Sequence, residues 1–189
     1  MDKSADVTLA EFTKSLAGEE PRGGAAAALA GALAAALAAR AVAGEEAAAK
    51  LERIRAYMLH LVDEDAKALK PLEKYLALPE DDPGRGAHLD AALRVACYIP
   101  TEVMYTAADA AETLAAGVES CPKGALADAA VALELCRAAM RASRLGIVAH
   151  AAHMADEVFD MTLRRECELV REKYEPIIDA ALAAIEERF

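Results

Sequence analysis

The sequence predicts an all-α protein, an antiparallel helical bundle arranged around a central alanine-rich helix. Apolar residues make up 56% of the chain and aromatics only 4%, with no Trp. The apolar share is mostly Ala and Leu recurring at helical spacing. Thirteen of the nineteen residues from Ala25 to Ala43 are alanine, the strongest helix former. No segment alternates with the two-residue period of a strand. At 189 residues the chain suits one well-packed core and is short for two, so residues 1–189 are read as one helical domain.

Thr8 and Glu11 have capping-box spacing and Val7 and Phe12 occupy the positions of a hydrophobic staple, so a first helix runs from there to about Ala17. Gly18 to Gly24 form a loop. A second helix then reaches Ala43, where Gly44 stops it. The third begins at Glu45 and continues to Lys70, with Pro71 expected to bend or end it. Residues 79–86, PEDDPGRG, read as the clearest surface loop. Helices over 87–98 and 100–116 follow, with a break expected near Pro100, and GVESCPKG at 117–124 turns the chain. From Ala125 the remainder is helical, with a break at 155–157 and Pro176 expected to disturb the final stretch. In the second helix Leu29, Leu33 and Leu37 share one face, and most of the remaining circumference is alanine or Gly31. A helix apolar all round is buried, and small side chains let neighbouring backbones approach closely. It is therefore expected to pack centrally on several others.

Composition also excludes functions. A formal charge of −11 and the absence of a Lys/Arg block argue against a nucleic-acid partner. Gly24–Ala43 is about as long as the roughly 20 residues that span a bilayer. Arg40 interrupts that run and acidic residues precede it, so a buried helix is expected in place of a membrane span. Cys97, Cys121, Cys136 and Cys167 form no C-x-x-C pair and read as reduced packing residues of a cytoplasmic protein.

Stepping three and four residues along the third helix picks out Leu51, Ile54, Met58, Leu61, Asp65, Ala68, Leu72 and Tyr75. Asp65 is the one charged residue on this apolar stripe. Burial there raises a carboxyl pKa and makes Asp65 a candidate general acid or base; the alternative is a buried Asp that caps a neighbouring helix or pairs with an Arg. Asp63 and Glu64 turn to other faces. In EPRGG, residues 20–24, Gly23 and Gly24 precede a helix whose free N–H groups could hold an anion or a polar heterocycle, or serve only as a turn. Gly146, His150, His153 and Glu157 are spaced for one helix face. That spacing matches no established metal motif, so no metal is expected and His150 is kept as a ligand-facing candidate. Arg137, Arg141 and Arg144 form a basic stripe, either a salt-bridged solvent face or a site for an anionic ligand tail.

In this order the motifs resemble the cyclodeaminase/methenyltetrahydrofolate cyclohydrolase family, which includes the C-terminal domain of formiminotransferase-cyclodeaminase. VTLAEFTKSLA is similar to the family's opening helix, and PRGGAAAALAGAL to its Pro-Gly-Gly-Gly-Ser turn and small-residue helix. LVDEDAKAL at 61–69 resembles its Asp-x-Asp-Ala-x-Ala segment, IPTEV its mid-chain Pro, and ADAAVALELCRAAMRA its Ser-Asp helix start. The resemblance implies a dimeric helical bundle, a tetrahydrofolate derivative as substrate, and Asp65 as the catalytic carboxylate. It further implies Arg22, Gly23, Gly24, Asp128 and His150 as substrate-binding positions. The implied reactions are hydrolysis of 5,10-methenyltetrahydrofolate to 10-formyltetrahydrofolate and the related cyclodeamination of formiminotetrahydrofolate, with a non-catalytic folate-binding bundle as the alternative. Arg22 stands where the family has Gly, Ala25 and Ala127 where it has Ser, and Gly146 and His150 where it usually has Asn.

Overall fold

The computed structural model describes residues 7–18, 23–79, 81–82 and 85–189, and among these it contains helices and turns and no strand. A short α1, Leu9–Ser15, is followed by α2, Gly23–Ala41, α3, Glu45–Leu76, α4, Arg85–Gly117, α5, Leu126–Ala151, and α6, Glu157–Glu186. Two 3-10 turns, Val118–Ser120 and Lys123–Ala125, join α4 to α5. The expected capping box is present: the Glu11 N–H donates to Thr8 Oγ1 at 3.2 Å, and the Thr8 N–H donates to the Glu11 carboxylate at 3.0 Å. Phe12 then points inward and is buried.

The break expected near Pro100 does not occur, and α3 does not end at Pro71. Pro71, Pro100 and Pro176 all lie inside continuous helices, so α3 runs through to Leu76 and α4 is one helix where two were expected. A proline removes one backbone bond and crowds one turn. Helices of 30 to 33 residues absorb that loss because packing along their whole length holds them. The break near 155–157 is real: α5 ends at Ala151, and Asp156 caps α6 by accepting the Phe159 N–H at 2.9 Å.

Cross-helix contacts fix the topology. Gly24 stands opposite Asp65 and Gly31 opposite Met58, so α3 returns antiparallel to α2. Lys50 pairs with Asp109 and Tyr57 with Glu102, so α4 runs antiparallel to α3. Gly146 faces Pro100, and Arg137 and Arg144 pair with Asp179 and Glu168, so α5 and α6 continue the alternation. The bundle from α2 to α6 is antiparallel, and α2 packs on α3, α4 and α5. Its alanines make this possible: Ala25, Ala28, Ala34, Ala35, Ala38 and Ala41 are fully buried. The leucines take the opposite side. Leu29 and Leu37 are half-buried and Leu33 is 50% exposed. The central position is thus as expected, but α2 is not enclosed all round, because close backbone approach selects the alanine face for the core. By length and composition α2 is also the one helix among the described residues that could cross a membrane, and half of its apolar window is buried in the bundle.

Candidate functional site

Two sequence candidates far apart in the chain, Gly24 and Asp65, meet at the start of α2. Asp65 projects from the apolar stripe of α3 and is only 4% exposed. Its Oδ2 accepts the Ala25 N–H at 3.0 Å, one of the backbone donors that the first turn of a helix leaves without an intrahelical partner. The positive end of the α2 dipole adds to the attraction for a carboxylate. Gly24 makes the approach possible. A Cβ on Gly24 would lie 2.1 Å from Asp65 Oδ1 and 2.7 Å from its Cγ, which no side chain can occupy. Space, not backbone conformation, therefore requires this glycine. A Cβ on Gly23 would meet nothing within 4 Å. The anion at this helix start is the protein's own carboxylate, so the capping role of Asp65 is realised, and the buried group it leaves is oriented by the backbone.

An open groove runs beside the site between α3 and α4. Leu61, Glu64 and Ala68, all within one turn of Asp65, line it together with His60, Tyr98 and Arg94. Glu64 pairs with Lys67 at 2.7 Å and lies 4.0 Å from His60; the Lys67 hydrogen bond holds its carboxyl below the ordinary value. Tyr57 closes the groove's far end, donating its hydroxyl to Glu102 at 2.7 Å. That hydrogen bond, followed by burial, pushes the Tyr57 hydroxyl pKa upward. The aromatic wall was missed from sequence because Tyr57 and Tyr98 become neighbours only when α4 folds back on α3.

The other candidates separate. Arg22 lies outside the described residues. His150, half-buried in the last turn of α5, falls at the Asp65 end of the bundle, since the adjacent Ile147 carbonyl faces the Cys97 thiol of α4 at 3.8 Å. Asp128 falls at the opposite end. It lies 3.5 Å from Arg40, near the last turn of α2, and at 1.5 Å per residue that is about 22 Å along the helix from Ala25. An antiparallel α5 necessarily starts where α2 ends, so Asp128 does not join Asp65 in this chain. The single helix face expected for Gly146, His150, His153 and Glu157 does not form, because α5 stops at Ala151 and Glu157 opens α6. No group of three His, Cys, Asp or Glu side chains suited to a metal occurs among the described residues. Arg137, Arg141 and Arg144 pair with Asp179, Glu175 and Glu168 at 2.6, 2.8 and 2.8 Å, which is the salt-bridged reading of that stripe.

The fold is an all-helical bundle in which a buried carboxyl side chain meets a glycine-opened helix start. The family model described as formiminotransferase-cyclodeaminase matches residues 8–169. The chain belongs to that family. Its fold is similar to the crystal structure of formiminotetrahydrofolate cyclodeaminase from Thermotoga maritima, with a TM-score of 0.76 over 97% of this chain and 96% of that one, at 23% identity. No curated protein sequence matches the chain.

Proposed function

We propose that the chain acts on a tetrahydrofolate derivative and that its reaction is hydrolysis of 5,10-methenyltetrahydrofolate to 10-formyltetrahydrofolate. The observation that supports this reading is Asp65, a buried carboxylate held in one orientation by the Ala25 N–H, in a chain of the cyclodeaminase family. In this reading a water oxygen attacks the bridging carbon while Asp65 takes the water's proton. The bond from that carbon to N5 then breaks as the new hydroxyl gives up its proton and N5 takes one, so that the formyl group stays on N10 and one proton, held by Asp65, is released overall. Cyclodeamination of formiminotetrahydrofolate uses the same proton transfer: N10 attacks the formimino carbon and ammonia leaves.

The groove between α3 and α4 gives the folate ring system aromatic and apolar walls beside Asp65, with Gly23, Gly24 and His150 at the same end and Arg22 in the adjoining segment. The protein is read as a cytoplasmic homodimer, consistent with its four buried, free cysteines. A folate-binding protein without turnover is the second reading, favoured by Ala25 offering only a backbone N–H where the resembled family has a serine. The deciding experiment follows the absorbance of 5,10-methenyltetrahydrofolate with and without protein. Decay faster than the spontaneous rate, and lost in Asp65→Asn, supports hydrolysis. Binding without acceleration, together with no ammonia release from formiminotetrahydrofolate, replaces it with the binding reading.

A further inference from the structure

The seam between α3 and α4 continues past the groove beside Asp65. Beyond Tyr57 it opens again into a second hollow, lined by Lys50, Arg53 and Ile54 of α3 and by Tyr105, Thr106 and Asp109 of α4. Tyr57 belongs to the walls of both hollows, so its ring is the step between them. On the α4 side Tyr98 and Tyr105 are 57% and 43% exposed, and they stand about 10 Å apart along the helix. Tyr57 reaches α4 between them, at Glu102. The two hollows therefore form one track, polar at the Asp65 end and aromatic in the middle. Its far end is cationic. Lys50 is held by Asp109 at 2.5 Å, which leaves the Arg53 guanidinium as the charge in excess. Each arginine of α5 and α6 has a carboxylate within 3.6 Å. Arg53, exposed on the rim of the hollow, has no acidic partner among the described residues. In a chain of formal charge −11, a guanidinium left unpaired at the end of an aromatic track is set to receive a carboxylate from outside.

We propose that this second hollow is the subsite for the carboxylate-bearing tail of the ligand, with the Arg53 guanidinium as the group that reads the tail's charge. This rests on the reading of the groove beside Asp65 as the place of the folate ring system. A tetrahydrofolate is elongated and has the same order of parts: a bicyclic ring with the reacting atoms, then an aryl group, then an amino acid with two carboxylates. Arg53 lies about 18 Å along α3 from Asp65. An extended ligand with its reacting carbon near Asp65 lays its aryl group across Tyr57, where offset stacking is favourable, and brings its carboxylates to the hollow beyond. The planar fork of an arginine matches a carboxylate at two points, which an ammonium does not. Arg53 is remote from the reacting atoms, so it acts on binding and selects ligands by their tails.

Two measurements on Arg53→Gln test the subsite. The residue is exposed, so the variant should fold and melt like the parent. Arg55→Gln is the control, an arginine of the same helix that pairs with Glu52 and lines neither hollow. The first measurement compares 5,10-methenyltetrahydrofolate with an analogue cut back to an uncharged benzamide. Arg53→Gln should raise KM for the full substrate about tenfold, the loss expected for a hydrogen bond between charged groups, with kcat unchanged because the contact is the same in the ground and transition states. For the shortened substrate Arg53→Gln and the parent should have the same KM. An unchanged KM for the full substrate, or an equal rise for both substrates, overturns the proposal. The second measurement needs no turnover: p-aminobenzoylglutamate is titrated into each protein and the Tyr57 and Tyr105 ring signals are followed by NMR, with p-aminobenzamide as the uncharged comparison. The parent and Arg55→Gln should bind the charged fragment alike, and Arg53→Gln about tenfold more weakly. A parent that turns over no folate refutes the functional reading, and the fragment titration then decides the subsite alone. Binding that is lost in Arg53→Gln sustains it, and no binding, or equal binding by Arg53→Gln and the parent, overturns it.

Discussion

Gly24→Ala is the most direct test of the contact that builds the site. The added Cβ would stand 2.1 Å from Asp65 Oδ1 and 2.9 Å from Oδ2, so either the carboxylate or the start of α2 must move. Overpacking of this kind costs about 1–3 kcal/mol. Displacing the carboxylate also breaks the charged hydrogen bond from the Ala25 N–H, which contributes about 1.5–3 kcal/mol. Alanine's helix propensity returns up to about 1 kcal/mol. The net expectation is a loss of about 1.5–5 kcal/mol, a fall in Tm of at least about 3 °C for a domain of this size. Turnover should fall further than stability implies, because a misplacement of about 1 Å in an oriented group can cost 100-fold. Gly23→Ala is the internal control, since its Cβ meets nothing within 4 Å and should leave both quantities nearly unchanged. Thermal denaturation and the absorbance assay measure the pair. If Gly24→Ala matches the parent in Tm and rate, the close approach of Asp65 to α2 is wrong and the site is not assembled as described.

Asp65→Asn keeps an oxygen to accept the Ala25 N–H and removes the ionisable proton, so the fold should persist while turnover drops by a factor of about 10²–10⁴; Asp63→Asn, on another face of α3, should change the rate little, and equal losses would remove the distinction between them. Gly31→Leu should cost about 1–3 kcal/mol in a denaturant titration, because even a Cβ there would lie 2.6 Å from Met58 Cε and 2.9 Å from its Sδ; Gly31→Ala should cost less, since the end of the Met58 side chain can swing aside. Burial pushes the Cys97 and Cys136 thiols up to about 11 and about 12, against about 8.5 for an unfolded cysteine. Both should resist iodoacetamide at pH 8 in the native protein. Because the unfolded chain gives up these protons first, stability should be unaffected by them below about pH 8.5 and should decline as pH rises from there toward the folded values; a denaturation midpoint that stays flat from pH 8 to 10.5 would contradict their burial.

The sequence by itself determined the all-helical class and the angular position of side chains around each helix. Alanine and leucine spacing, the Thr8–Glu11 box and Gly44 were sufficient for α1, α2 and the start of α3, and the period of α3 singled out Asp65 as the charge on a buried stripe. These are local properties, set by a helix's own repeat. Tertiary structure decided everything that depends on which element lies alongside. Pro71, Pro100 and Pro176 could be kept inside helices because neighbouring helices hold both sides of each interruption. The apolar circumference of α2 gave no sequence direction to its core face; close packing against α3, α4 and α5 turned the alanines inward and left Leu33 outside. That the helix start at Gly24 receives Asp65, and not an external anion, follows from the antiparallel return of α3. The same alternation puts Asp128 beside Arg40, because a helix period fixes the angle at which a side chain leaves its axis, while only the order and direction of packed helices fix its height in the bundle.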